Sequence, residues 1–183
     1  HGAVLQSFNS LKSTLEIEIN SATDNPLIFP DPRNPGAHEV ISQGNFHGEI
    51  LALNADAMSL AIFELASISE RRIDQILDPA RSGLPPFLAS NSGLESGMMI
   101  VQYVAAASLG ELNGHAAPRT AFSIPTSAGQ EDHVSMGATA SANLLQACYH
   151  LSRVIACELL IACEALTYAN EEPANHVLTL QKL

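Results

Sequence analysis

From about Glu49 to Leu77 the chain places Leu53, Ala57, Leu60, Ala61, Phe63, Leu65 and Ile68 along one implied helix, with small and large residues on most of its faces. A helix without a broad polar side is stable only when other helices surround it. The same texture recurs three more times. Ala3 to Asn20 carries Val4, Leu5, Phe8, Leu11, Leu15 and Ile19 at helical spacing. Gly93 to Gly114 carries Met98, Met99, Val101, Val104, Ala105 and Leu109, and a last long helix is expected from Ser127 or Gln130 to Leu166 or beyond. No period-two alternation is long enough to predict a sheet, and no repeat or low-complexity tract is present. The expectation is an all-α fold, with residues 1–183 read as a single segment of long, near-parallel helices forming part of a central helical bundle.

The breaks between helices are marked by turn chemistry. Ser21 to Pro26 stops the first helix, since Asp24 and Asn25 favour turns and Pro26 holds Asn25 out of the helical region. Pro30, Pro32, Pro35 and Gly36 continue as a loop too long for a tight connection, hence exposed or functional. Ile41 to Glu49 is a polar segment punctuated by Gly44 and Gly48. Gly83, Pro85 and Pro86 break residues 78–92, Pro118 and Pro125 break residues 115–127, and Glu171-Glu172-Pro173 marks a final break.

Composition bears on partners. Charged residues are 15% of the chain and apolar ones 46%, against about 25% charged for an average domain. Helices this apolar leave surface to be covered, most economically by further copies, so a homo-oligomer is expected. A net charge of −11 with only eight basic residues weighs against nucleic acid. Cys148, Cys157 and Cys163 match no zinc or redox spacing and read as buried, reduced thiols, which fits a cytoplasmic location. His150, Arg153, Glu158 and Glu164 interrupt the most apolar span, so no membrane helix is assigned. His1 opens a mixed polar segment rather than a signal peptide, and the chain reads as a piece of a longer protein.

Polarity is concentrated in Thr126 to Met136, where Gln130, Glu131, Asp132, His133 and two hydroxyls crowd a glycine-hinged turn. One reading is structural. Ser127-x-x-Gln130 matches a capping box, and Glu131 and Asp132 would then lie in a helix's first turn, at the positive end of its dipole. The other is functional: an anion held there accepts a charge-assisted hydrogen bond from an ammonium or imidazole group. Both hold at once if one acid caps and the other faces a ligand. The second cluster is His47-Gly48-Glu49. It lacks the two-histidine zinc pattern, so no metal is assigned, although His47, Glu49 and His133 are the residues that would supply one. Gly44 and Gly48 suit a backbone that approaches something closely. His115 and His150 read as structural.

Six motifs in order carry a resemblance: residues 21–27 (SATDNPL), 44–49 (GNFHGE), 69–73 (SERRI), 83–88 (GLPPFL), 96–99 (SGMM) and 125–136 (PTSAGQEDHVSM). From His1 to about Leu166 they resemble the aromatic amino acid ammonia-lyases, and within that family the histidine-specific branch. The resemblance implies a carbon–nitrogen lyase that eliminates ammonia from an α-amino acid, with L-histidine as substrate and urocanate as product. It implies a homotetramer, and an electrophile, 4-methylideneimidazol-5-one (MIO), formed from an internal Ala-Ser-Gly. That tripeptide is absent, for Ser127-Ala128-Gly129 has a different order. The family places its electrophile, catalytic tyrosine and carboxylate-gripping arginine upstream of where this chain begins. The chain would thus be the downstream part of a catalytic domain, inactive alone. The resemblance carries two site residues onto it, Phe46 against the prosthetic group and Glu131 as the active-site glutamate, and no cofactor-binding residue. Gly48 stands where many histidine lyases have alanine, and residues 30–39 form a longer loop than the shortest members carry. Sister phenylalanine or tyrosine lyases, aminomutases and a non-catalytic helical module are the alternatives.

Overall fold

The computed structural model describes residues 1–169, and the break expected at Glu171-Glu172-Pro173 lies outside them. The all-α expectation holds. Four long helices carry the chain: α1 (Gly2–Glu18), α2 (Glu49–Leu77), α4 (Met99–His115) and α5 (Gly137–Leu166), with a short α3 (Pro79–Ser82) after α2. The bounds of α2 are those its apolar pattern predicts. Its stop is local: Asp78 accepts the Ala80 N–H at 2.9 Å, caps α3 and places Pro79 at that helix's first position.

Several expectations need correction. The proline-rich loop contains a small sheet, β1 (Leu27–Pro30) paired antiparallel with β2 (His38–Ile41), from Leu27 opposite Ile41 to Pro30 opposite His38. Strands this short give no readable alternation, and Pro30 is tolerated at the end of a two-stranded ribbon, where its missing N–H breaks no ladder. Asn25, before a cis peptide bond to Pro26, supports the hairpin's return, its Oδ1 accepting from Ser42 Oγ at 3.0 Å and Gln43 N at 3.2 Å. The second correction concerns the thiols. All three cysteines are free, but only Cys157 is buried; Cys148 is exposed and Cys163 partly so. Burial of the thiol groups still pushes Cys148 and Cys157 above the ordinary thiol range. The third correction is that α5 begins at Gly137, not at Ser127 or Gln130.

The chain folds as two compact units, and α2 and α5 contribute residues to each. In the first unit (His1–Ala61 with His115–Gln146), Ala52 and Ala55 of α2 meet Ala140 of α5 in a core of small side chains, closed by Leu144. Alanines bring backbones close, and the space left over is filled by polar side chains rather than aliphatic ones. Asp56 Oδ2 accepts from Thr120 N at 2.9 Å and Thr120 Oγ1 at 2.8 Å. Asn143 Oδ1 accepts from Arg119 Nη2 at 2.7 Å and lies 2.8 Å from His115 Nδ1, while its Nδ2 donates to His115 O at 2.8 Å. Buried polar groups satisfied in this way fix a loop's path as firmly as packing does. His115, Arg119 and Thr120 are therefore pinned to α2 and α5.

In the second unit (Ile62–Gly114 with Ala147 onward), Ile73, Leu77, Leu88, Ala105, Cys157 and Ile161 form an aliphatic core. Glu158 of α5 accepts from Ser69 and from the Arg72 guanidinium of α2. Burial opposes ionisation of Glu158, but the bonds from Arg72 and Ser69 and the Arg72 charge outweigh it, so the carboxyl titrates below its usual range. By length and composition alone α2 and α5 would each cross a bilayer. Within the fold, Arg72 of α2 and Glu158 of α5 pair with each other, as charges on helices packed within protein do.

Candidate active site

The capping box does not form. Ser127 and Ala128 take left-handed backbone conformations, with φ of 53° and 57°, inside a single 3₁₀ turn, Ser127–Gly129, which has no side-chain cap. The turn closes through a backbone pair, Thr126 N to Glu131 O at 2.8 Å and Glu131 N to Thr126 O at 3.3 Å. Glu131 and Asp132 thus precede α5 rather than occupying its first turn, and the dipole argument for holding an anion there lapses. The cap is supplied by Ser135 instead, whose Oγ accepts the Gly137 N–H at 3.1 Å.

Ser135 has a second bond, and it assembles the site. Its hydroxyl donates to the backbone carbonyl of His47 at 2.7 Å, across 88 residues of sequence. That contact brings the 44–49 motif against the 125–136 motif. Gly48, at φ 64°, turns the chain from His47 into α2 through the left-handed region, where a side chain costs about 1 kcal/mol or more. From the other side Ser123 Oγ accepts the Val134 N–H at 2.9 Å, so the loop that Asp56 and Asn143 anchor also holds the segment leading into α5.

The side chains then meet. His47 Nε2 lies 3.2 Å from Glu131 Oε2, both groups partly shielded. The Phe46 ring stands edge-on to the imidazole, centroids 4.2 Å apart at 72°, and is still 38% exposed. Two open clefts flank His47. One, of about 390 Å³, runs between α1 and the 45–48 segment and includes Leu15, Glu18, Asn45 and Phe46. Asn45 is set by Glu18, whose two carboxylate oxygens receive its Nδ2 at 3.1 and 3.0 Å. The other, of about 370 Å³, lies between His47 and the start of α5, along Val134 to Thr139.

Phe46 and Glu131, expected together from sequence, thus stand on either side of one imidazole. For His47 the sequence suggests a place in a polar, glycine-punctuated loop, with a metal ligand as the lesser alternative. Among the described residues no three His, Cys, Asp or Glu side chains come together as a metal site, and His47 pairs with Glu131 instead. Ser135 is the other residue that sequence reasoning misses. Its signal is there, a hydroxyl just ahead of a helical run, but it competes with Ser127 for the same role.

The chemistry available is that of a carboxylate with one oxygen engaged, an aromatic wall and an open cleft. The chain belongs to the aromatic amino acid lyase family, whose pattern it matches over residues 1–182. It is 49% identical over 172 residues to a histidine ammonia-lyase of Geobacillus sp. (strain WCH70), covering 94% of this chain and 33% of that protein. The crystal structure of histidine ammonia-lyase from Trypanosoma cruzi superposes with a TM-score of 0.91 at 39% identity, covering 100% of this chain and 35% of that one. Pantoea agglomerans phenylalanine aminomutase superposes with a TM-score of 0.90 at 33% identity, covering 99% and 35%. The chain spans about a third of the length of the curated relatives it matches.

Proposed function

We propose that the chain supplies one wall of the active site of a histidine ammonia-lyase, which eliminates ammonia from L-histidine to give urocanate. The observation that carries the reading is the contact of Glu131 with His47: this carboxylate already lies 3.2 Å from an imidazole nitrogen. A substrate imidazole presents the same donor to the oxygen that remains, whereas a phenyl ring has none to offer. The identity to curated histidine ammonia-lyases supports the same substrate.

The complete enzyme carries MIO, formed from an Ala-Ser-Gly that this chain lacks. The residues present fit such a group. Among the residues lining the two clefts there is no cysteine or lysine that would add to an electrophilic methylidene, and Phe46 offers it an apolar ring. Bound, the group supplies the electrophile that makes the amine a leaving group. This chain's residues do the rest of what falls to this wall. Phe46 excludes water beside the reacting carbon. Glu131 orients the substrate through an N–H and takes part in moving the proton. The enzyme is a cytoplasmic homotetramer in this reading, and the exposed apolar residues of α5 (Leu145, Tyr149, Leu159 and Leu160) are among those that neighbouring subunits cover.

The test is a side-by-side assay of the complete enzyme with histidine, phenylalanine and tyrosine, following the ultraviolet absorbance of the acrylate. Histidine is expected to be preferred by at least about 100-fold in kcat/KM. A preference for phenylalanine or tyrosine, or conversion to a β-amino acid, would assign the sister activities instead. No turnover of any of the three by the complete protein would leave a non-catalytic assembly module.

A further inference from the structure

His47 is held at three places. Its carbonyl receives the Ser135 hydroxyl at 2.7 Å, its ring is met by the edge of Phe46 at 4.2 Å, and its Nε2 reaches Glu131 at 3.2 Å. Glu131 is held far less. Its backbone belongs to an exposed turn with two left-handed residues, tied to Thr126 alone. Among the described contacts its side chain has one partner, His47. A glutamate on an exposed turn samples several rotamers, and a carboxylate that wanders is a poor template for a substrate.

We propose that His47 is a positioning residue for the lyase reaction. Its imidazole N–H binds Oε2 of Glu131 and locks the carboxylate, leaving Oε1 as the single oxygen turned to the N–H of the substrate. The inference rests on the proposed role of Glu131 in a histidine ammonia-lyase. It adds where that residue's geometry comes from: not from its own turn but from the 44–49 segment, delivered through the cap of α5. Ser135 joins the two, since one hydroxyl both starts the helix and grips the His47 peptide. The arrangement puts the ordering cost into the fold rather than into substrate binding.

The test uses the complete enzyme and a double-mutant cycle. His47→Leu keeps an apolar group against Phe46 but donates nothing, while His47→Gln restores an N–H near the Nε2 position. His47→Leu is expected to lower kcat for histidine about 30-fold with less than about a threefold change in KM, and His47→Gln to recover to within about threefold of the parent. In a Glu131→Gln background, His47→Leu should cost less than about twofold, because the group it positions is gone. Equal losses in the Leu and Gln variants, or the same factor in both backgrounds, would overturn the proposal and leave the lyase reading intact. If Glu131→Gln alone changes the rate by less than about twofold, the role given to Glu131 has failed and this inference with it. Should His47→Leu not assemble, His47→Asn, whose amide stops short of Glu131, takes its place in the cycle.

Discussion

Two loops in this protein bend through the same unfavourable backbone and come to opposite ends. In the second unit Phe87 and Leu88 are left-handed, at φ 54° and 57°; in the first unit Ser127 and Ala128 are, at 53° and 57°. Each non-glycine residue in that region costs about 1–2 kcal/mol, so something must hold both turns. At Phe87 and Leu88 the fold itself does so. Leu88 is 3% exposed in the aliphatic core, Met98 N donates to Phe87 O at 2.8 Å, and Tyr168 Oη donates to Leu88 O at 3.1 Å. At Ser127 and Ala128 both residues are exposed, and the turn is held by backbone bonds within itself, Gly129 N to Thr126 O, Gln130 N to Ser127 O and the Thr126–Glu131 pair that presents Glu131. Strain of equal size serves packing in one place and a candidate site in the other. What differs is the number of partners the surroundings supply.

The sharpest break of the comparison is Gly97→Ala. A Cβ there would lie 2.3 Å from Phe87 O, at a backbone φ of 52°. Nothing rigid can move that far, so the variant should lose about 3 kcal/mol or more in denaturant unfolding, or fail to accumulate. Glu131→Gln is the mirror experiment on the other loop. It should lower kcat/KM for histidine by about 100-fold, near 2.7 kcal/mol of transition-state stabilisation. Its unfolding temperature should stay within about 2 °C, because no packing is lost.

Smaller changes refine the contrast. Tyr168→Phe removes the donor to Leu88 O and the partner of Ser90 Oγ, and should cost about 1 kcal/mol of stability with activity retained. Glu158→Gln examines the charged part of the second unit. The folded carboxyl titrates below the ordinary 4.5, so its contribution is complete above that value and fades as pH falls through the lower, folded one. The variant should therefore be destabilised by about 1 kcal/mol at neutral pH, and the difference from the parent should shrink as pH falls below the ordinary carboxylate value and vanish once the folded carboxyl is protonated, as read from paired melts. Smallest of all, Ala128→Gly relieves one left-handed residue at the cost of a freer unfolded chain, for a net gain below about 1 kcal/mol. A loss there instead would mean that the left-handed Ala128 is not what strains the turn.

Much of this protein was legible in order of residues. The span of α2 follows from its apolar pattern and from Asp78-Pro79, because both signals act within a turn or two of the chain. The helical class, the family and the candidacy of Phe46 and Glu131 were likewise readable, the last through motifs rather than periodicity. The hairpin was not, since four-residue strands carry too little pattern. Nor was the beginning of α4: it starts at Met99, after Gly97 has turned to meet Phe87, rather than at Gly93.

What only the tertiary structure decided is the meaning of residues 126–136. Sequence reasoning placed the cap at Ser127, with Gln130 behind it, and passed over Ser135. By local rules Ser127 is the better choice. Ser135 takes the role because its hydroxyl has a second use, a bond to the carbonyl of His47 that no local rule contains. With the helix begun at Gly137, the residues before it are released into a strained turn, and Glu131 passes from the helix dipole to the imidazole of His47. Short-range chemistry determined which elements exist. A hydrogen bond between residues far apart in sequence determined where the last one starts, and with it what faces the site.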